Sequence, residues 1–243
     1  MAVGDVDAAD HVSVFTPGLT TTVQDSLVSY DRQLAALRQQ AGYMAYNAGG
    51  GTVATVSWLG YEAPQWSDTW RPSRSVANDE AAQRGALLLS GFYNGLDATR
   101  DSPAHLTALG HSYGSLTTGL ALQEGTGVDD VIFFGSPGIG TDDVTDLGLR
   151  PGRVFVAEAT WDGVADLAAF EGDPNQLDGV TGLSTAESVI DSVRRQESTG
   201  HSGYLTEGST SQYAFAAVVA GLPHLAPRDD HFGVTDALWW TPF

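Results

Sequence analysis

One pentapeptide stands out for what its residue types and spacing could do: Gly110-His111-Ser112-Tyr113-Gly114. The apolar run Leu106-Thr107-Ala108-Leu109 leads into it, and a second apolar run leaves it after Ser115. A serine on a sharp strand-to-helix turn, flanked by glycines that let strand and helix approach closely, is the pattern of a nucleophile elbow. Its hydroxyl would stand exposed above a sheet, on backbone whose strain persists because it places the reacting atom. The helix starting behind it would offer free N–H groups and a positive dipole end to a developing oxyanion, with the Tyr113 N–H as first donor. The chemistry implied is nucleophilic attack on an acyl carbon. The competing reading is a Gly-rich turn with a buried serine.

A serine nucleophile needs a base, and the base needs an orienting carboxylate, in the chain order serine, acid, histidine. Three histidines follow Ser112: His201, His224 and His231. His201 sits in the glycine-flanked loop Ser198-Thr199-Gly200-His201-Ser202-Gly203-Tyr204, which suits a base that must reach over a sheet edge. His224 and His231 read as surface residues. Asp162 comes directly after a strand-like run and is the favoured acid, with Asp166 and Asp173 as competitors. Asp173-Pro174 also fits a turn start. The second oxyanion donor is expected from the loop Phe15-Thr16-Pro17-Gly18-Leu19-Thr20-Thr21, from the N–H of Leu19 or Thr20, unless that loop is a plain turn.

These side chains need elements to hold them. Strands are expected at His11–Thr16, Thr52–Leu59, His105–Leu109, Asp130–Phe134 and Arg153–Ala159. Helices are expected at about Val23–Ala41, Val76–Leu96, Ser115–Gln123, Ala186–Gln196 and Ser211–Ala220. The alternation predicts an α/β chain with a small, mainly parallel sheet of about five strands and no separate cap domain. With 243 residues the chain is read as one domain, residues 222–243 being a tail packed on it or a linker. Trp58, Tyr61, Trp66 and Trp70 cluster after the second strand and either line an apolar acyl or aromatic pocket or pack as core. Trp239 and Trp240 read as tail anchors or an oligomer contact.

Composition removes whole classes of chemistry. The chain has no cysteine, which excludes disulfides, thiolate catalysis and zinc–thiolate sites. Thirty acidic against eleven basic residues give a formal net charge of -19, which disfavours nucleic acid and anionic membrane surfaces. No apolar run approaches the roughly 18 to 20 residues that cross a bilayer. Met1 to Asp10 is acidic and lacks the basic and apolar regions of a signal peptide, so a cytoplasmic chain is the default, although a processed secreted one would look the same. Neither a cofactor nor a metal is expected; Asp229-Asp230-His231 is a poor metal site on a tail.

At these residues the sequence resembles the actinobacterial α/β-hydrolase domains formerly grouped as domain of unknown function 1023. The matching pieces are Pro17-Gly18, the run 110–115, Gly135-Ser136-Pro137-Gly138, Asp162, Gly172-Asp173-Pro174, and Gly200-His201 through Tyr204. They span about Val12 to Gly221. The layout is also similar to that of cutinases. Two departures are Thr160-Trp161-Asp162-Gly163, where family members often carry Gly-Asp, and the lack of an extra N-terminal helical region. The resemblance implies an α/β-hydrolase fold and a triad of Ser112, His201 and Asp162. The expected function is a serine hydrolase, foremost a carboxylesterase for short- to medium-chain or aromatic esters. The alternatives are an amide or thioester hydrolase or acyltransferase on the same triad, and a non-catalytic binding domain.

Overall fold

The computed structural model describes residues 1–18, 23–61, 79–164 and 174–229. In chain order its elements are β1 (Ala2–Val3), β2 (His11–Thr16), α1 (Val23–Asn47), β3 (Val53–Ser57), α2 (Glu80–Ala98), β4 (His105–His111) and α3 (Tyr113–Gln123). There follow β5 (Asp130–Phe134), β6 (Val154–Ala157), β7 (Thr181–Gly182), β8 (Ser188–Ile190), β9 (Val193–Arg195) and α4 (Thr210–Val219). Seven strands form one sheet in the order β1-β3-β2-β4-β5-β6-β7. Only β1 is antiparallel to its neighbour.

The strands alternate their apolar residues between two faces, as the two-residue period of a pleated strand requires. Phe15, Leu109, Ile132, Phe134, Phe155 and Ala157 pack under α1 and α4. On the other face Val14, Ala108, Val131, Phe133, Val154 and Val156 pack under α2 and α3. Central parallel strands are covered on both sides, and β2, β4 and β5 are buried nearly throughout; β5 reads as an almost unbroken apolar run, while Ser13 and Thr107 interrupt β2 and β4. Helix α4 is buried along its whole length and sits against α1. From Tyr213 onward the helix is apolar on every side, as a helix inside a protein must be, and at its start Ser211 donates its hydroxyl to the Tyr204 carbonyl.

All five expected strands are present, and the sheet is larger than expected by two edge strands, β1 and β7, of two residues each. The helix expected at 186–196 is a hairpin instead. Its two-residue turn, Asp191-Ser192, holds both φ angles positive, at 52° and 64°, the backbone of a type I′ turn whose twist matches the flanking strands. Arg195 anchors the hairpin by lying 4.1 Å over the Tyr213 ring, while the Tyr213 hydroxyl donates to Asp191. Residues 222–229 pack on the domain, with Ser184 N–H donating to the Pro227 carbonyl and Asp229 N–H to that of Gly182. Trp239, Trp240 and His231 lie outside the described residues. No helix among the described residues is long and apolar enough to cross a membrane.

Candidate active site

Ser112 stands between β4 and α3 as the residue that ends one and caps the other. Its φ of 57° and ψ of -134° put a non-glycine residue in strained backbone, the feature that lifts a serine out of the sheet. The turn is held from below, Ser112 N–H donating to the Phe134 carbonyl at 3.1 Å and Ser115 Oγ to the Gly110 carbonyl at 3.0 Å. Close packing explains the flanking glycine, since a Cβ on Gly114 would lie 2.1 Å from the Thr16 carbonyl oxygen.

The geometry brings together the three residues that chemistry required. Ser112 Oγ lies 2.8 Å from His201 Nε2. His201 Nδ1 lies 2.8 Å from Asp162 Oδ1 and 3.1 Å from Oδ2. Since the carboxylate can only accept, His201 carries its proton on Nδ1 and offers the Nε2 lone pair to the serine hydroxyl. His201 reaches this position on a loop tied to the acid loop by the Gly200 N–H to Thr160 carbonyl bond of 2.8 Å.

Asp162 is buried, 2% exposed. Burial works against its charge, but hydrogen bonds from His201 and Tyr204, the charge of His201 and the Val164 N–H outweigh it and hold the carboxyl at about 2. The Tyr204 hydroxyl donates to Asp162 Oδ2 at 2.6 Å and accepts the Ala159 N–H at 2.9 Å. Burial and the adjacent carboxylate push Tyr204 well above the ordinary tyrosine range, so it remains a donor. Gly135 makes room for this assembly. Its φ is 54°, and a Cβ there would meet Asp162 Oδ2 at 2.8 Å and His201 Nδ1 at 3.2 Å.

The expected oxyanion side is partly described. Tyr113 N–H opens α3, and the Pro17-Gly18 turn crosses directly over it: a Cβ on Gly18 would lie 2.8 Å from Tyr113 N and 2.6 Å from Ser112 Cβ. Leu19 and Thr20 fall outside the described residues, as do Asp166, Asp173, Trp66 and Trp70. Tyr61 donates its hydroxyl to the Pro17 carbonyl at 2.8 Å and stacks on buried Trp58, so both pack on the α2 and α3 face and steady the turn. An open cavity of about 210 Å³ lies on the opposite face, walled by Phe15, Tyr30, His111, Phe134 and Tyr204. His224 lies in a short helical turn, Pro223–Leu225, well removed in the chain from the triad loops.

Residues 1–172 match the family described as alpha/beta hydrolase. The chain belongs to this family. Across 196 residues this alpha/beta hydrolase is 39% identical to Uncharacterized protein Rv0963c of Mycobacterium tuberculosis H37Rv, spanning 76% of the present chain and 70% of that one. Uncharacterized protein Mb0988c of Mycobacterium bovis is similar to the same extent. A solved structure, a putative cell surface hydrolase from Lactobacillus plantarum WCFS1, is similar with a TM-score of 0.45 and 12% identity, over 91% of this chain and 94% of that one.

Sequence reasoning missed two residues of the site, Tyr204 and His111. Both stand inside motifs it had singled out, but a motif gives no direction for a side chain. The signal for His111 is the strand period: if Ser112 rises from the strand end, its neighbour points to one flank, where the histidine loop arrives.

Proposed function

We propose that this alpha/beta hydrolase is a serine esterase acting on short- to medium-chain or aromatic carboxylic esters through Ser112, His201 and Asp162. One observation carries the reading: an unbroken hydrogen-bonded line from Ser112 Oγ through both nitrogens of His201 to a buried carboxylate. A fold-maintaining serine has no need of such a line, whereas a nucleophile has.

In this mechanism Ser112 Oγ attacks the ester carbon while His201 Nε2 takes its proton. Asp162 keeps the imidazole in the required tautomer and stabilises the imidazolium that forms. The oxyanion is held by the Tyr113 N–H and by a second N–H from Leu19 or Thr20. His201 then returns its proton to the leaving alcohol, and water, activated by the same base, releases the acid from Ser112. The net charge of -19 favours neutral substrates over anionic ones. The test is turnover on matched ester, thioester and amide substrates of graded acyl length by wild type and Ser112→Ala. Ester turnover that disappears in the variant is expected. Turnover that survives it contradicts the reading, and a preference for amide or thioester would move the same triad to another substrate class.

A further inference from the structure

The catalytic geometry depends on where a loop holds His201, since residues 200–206 lie outside any helix or strand, anchored at one end by the Thr160–Thr199 bridge. The imidazole needs more than its own two side-chain bonds to be aimed, because its backbone must be fixed as well. Among the described residues the His201 carbonyl accepts one hydrogen bond, from the ring of His111 at 2.7 Å. A carbonyl only accepts, so His111 Nε2 must carry a proton, and in the neutral ring Nδ1 is then bare. The two rings also touch, with centroids 4.7 Å apart and planes at 33°. Phe134 stacks on the outer side of His111 at 5.0 Å and Phe15 at 6.5 Å, which fixes the ring in its plane. Burial foremost, and His201 next, disfavour the charged form of His111. The site requires that neutrality, because His201 becomes a cation during the reaction and a second cation in ring contact would oppose it.

We propose that His111 is a positioning residue, a neutral donor whose Nε2–H tethers the His201 carbonyl and so aims the catalytic imidazole at Ser112. The inference rests on the esterase reading above, and it adds a role to the residue preceding the nucleophile. His111 also walls the open cavity beside the triad, but its positioning role runs through the His201 carbonyl and not through the reacting atoms. Losing the tether leaves the triad complete but loosely held, which lowers the rate of the chemical step and spares substrate affinity.

The experiment compares wild type, His111→Phe and His111→Gln. Phenylalanine keeps a ring in the aromatic stack and removes the donor, while glutamine restores an N–H donor without a titratable ring. With the best ester, His111→Phe is expected to lower kcat by about 10- to 100-fold with KM changed less than about twofold, and His111→Gln to recover most of that loss. Equal kcat in wild type and His111→Phe would overturn the proposal, as would an equal loss in both variants. Long-range ¹⁵N–¹H spectra of the histidine rings give a readout that needs no turnover. They should show His111 as the Nε2–H tautomer in wild type, and a His201 Nδ1–H resonance that is broadened by motion in His111→Phe but stays sharp in His111→Gln, whatever shift the changed ring current adds. An Nδ1–H tautomer of His111, or a His201 resonance equally sharp in all three proteins, would refute the tether even where the chain turns over no ester. Lack of turnover with the expected spectra would instead refute the esterase reading alone.

Discussion

The sheet carries a histidine–aspartate pair at each end, and the two pairs do different things. At the carboxyl ends of the strands, His201 and Asp162 meet at 2.8 Å and the histidine turns its other nitrogen to Ser112. At the amino ends, His105 Nε2 meets Asp130 Oδ2 at 2.6 Å, and the histidine's other nitrogen faces His11 at 3.5 Å. Asp130 is fully buried and shared with Arg153 at 3.3 Å. The second pair rests on the first residues of β4 and β5, neither of which has a positive φ. The first rests on loops that contain Ser112 at φ 57°, Trp161 at φ 66° and Gly135 at φ 54°. On the proposed mechanism, a buried aspartate paired with a histidine is thus not enough for catalysis on its own. The difference lies in a hydroxyl lifted onto strained backbone at a helix N-terminus, and strain collects at such sites when the surrounding structure over-determines it.

Substitutions at the two ends of the sheet should affect activity and stability differently. The largest effect is expected from Asp162→Asn, which leaves the shape intact but allows the wrong His201 tautomer. It should cut kcat by about a thousandfold or more, read on the ester substrate, with the folded fraction unchanged at neutral pH. Acid stability comes next. His111 is held down at about 4 by burial and then by His201, and the unfolded chain titrates near 6.5. The unfolded state therefore binds the extra proton between those values, so stability is full above about pH 6.5 and falls as pH drops toward 4, by at most about 3 kcal/mol. Denaturant unfolding across that range should show this loss in wild type and a smaller one in His111→Phe.

At the other pole, Asp130→Asn should lower stability by about 1–3 kcal/mol through loss of a charged partner for His105 and Arg153, and leave kcat within about twofold. A matching loss of activity would mean that the two poles are coupled. Tyr204→Phe should reduce kcat by about tenfold, since Asp162 and the Ala159 N–H each lose a hydrogen-bond partner worth roughly 1 kcal/mol. The smallest effect is expected at Trp161, which is 88% exposed in a left-handed backbone position. Glycine there relieves about 1 kcal/mol of strain but adds unfolded-state freedom, so Trp161→Gly should move the unfolding free energy by under about 1 kcal/mol.

The contrast also separates what was legible in the sequence from what was not. The central strands and the elbow are legible because buried strands are rich in apolar residues and the turn carries glycines. His201 and Asp162 are chosen from chain order and loop position, and the structure brings both side chains into one hydrogen-bonded line with Ser112. β1 and β7 escaped because two residues carry no periodicity. The 188–195 hairpin is hard to see in the sequence because Val189, Ile190 and Val193 also fit a helical spacing, and its turn uses Asp191-Ser192 where glycine is the commoner signal. Trp58 and Tyr61 were legible as an aromatic group near the sheet edge. Which face they pack on depended on strand register, which composition does not encode. The tethers from His111 and Tyr204 are contacts of orientation, set by loops that meet only in the folded chain.

An activated Ser112 nucleophile should reveal itself by covalent labelling. A fluorophosphonate probe, read by intact mass on folded wild type, Ser112→Ala, His201→Ala and Asp162→Asn, should give one adduct on wild type. The adduct should be absent in Ser112→Ala and form far more slowly in the other two variants. An unlabelled, folded wild type, or an adduct that persists in Ser112→Ala, would contradict the account.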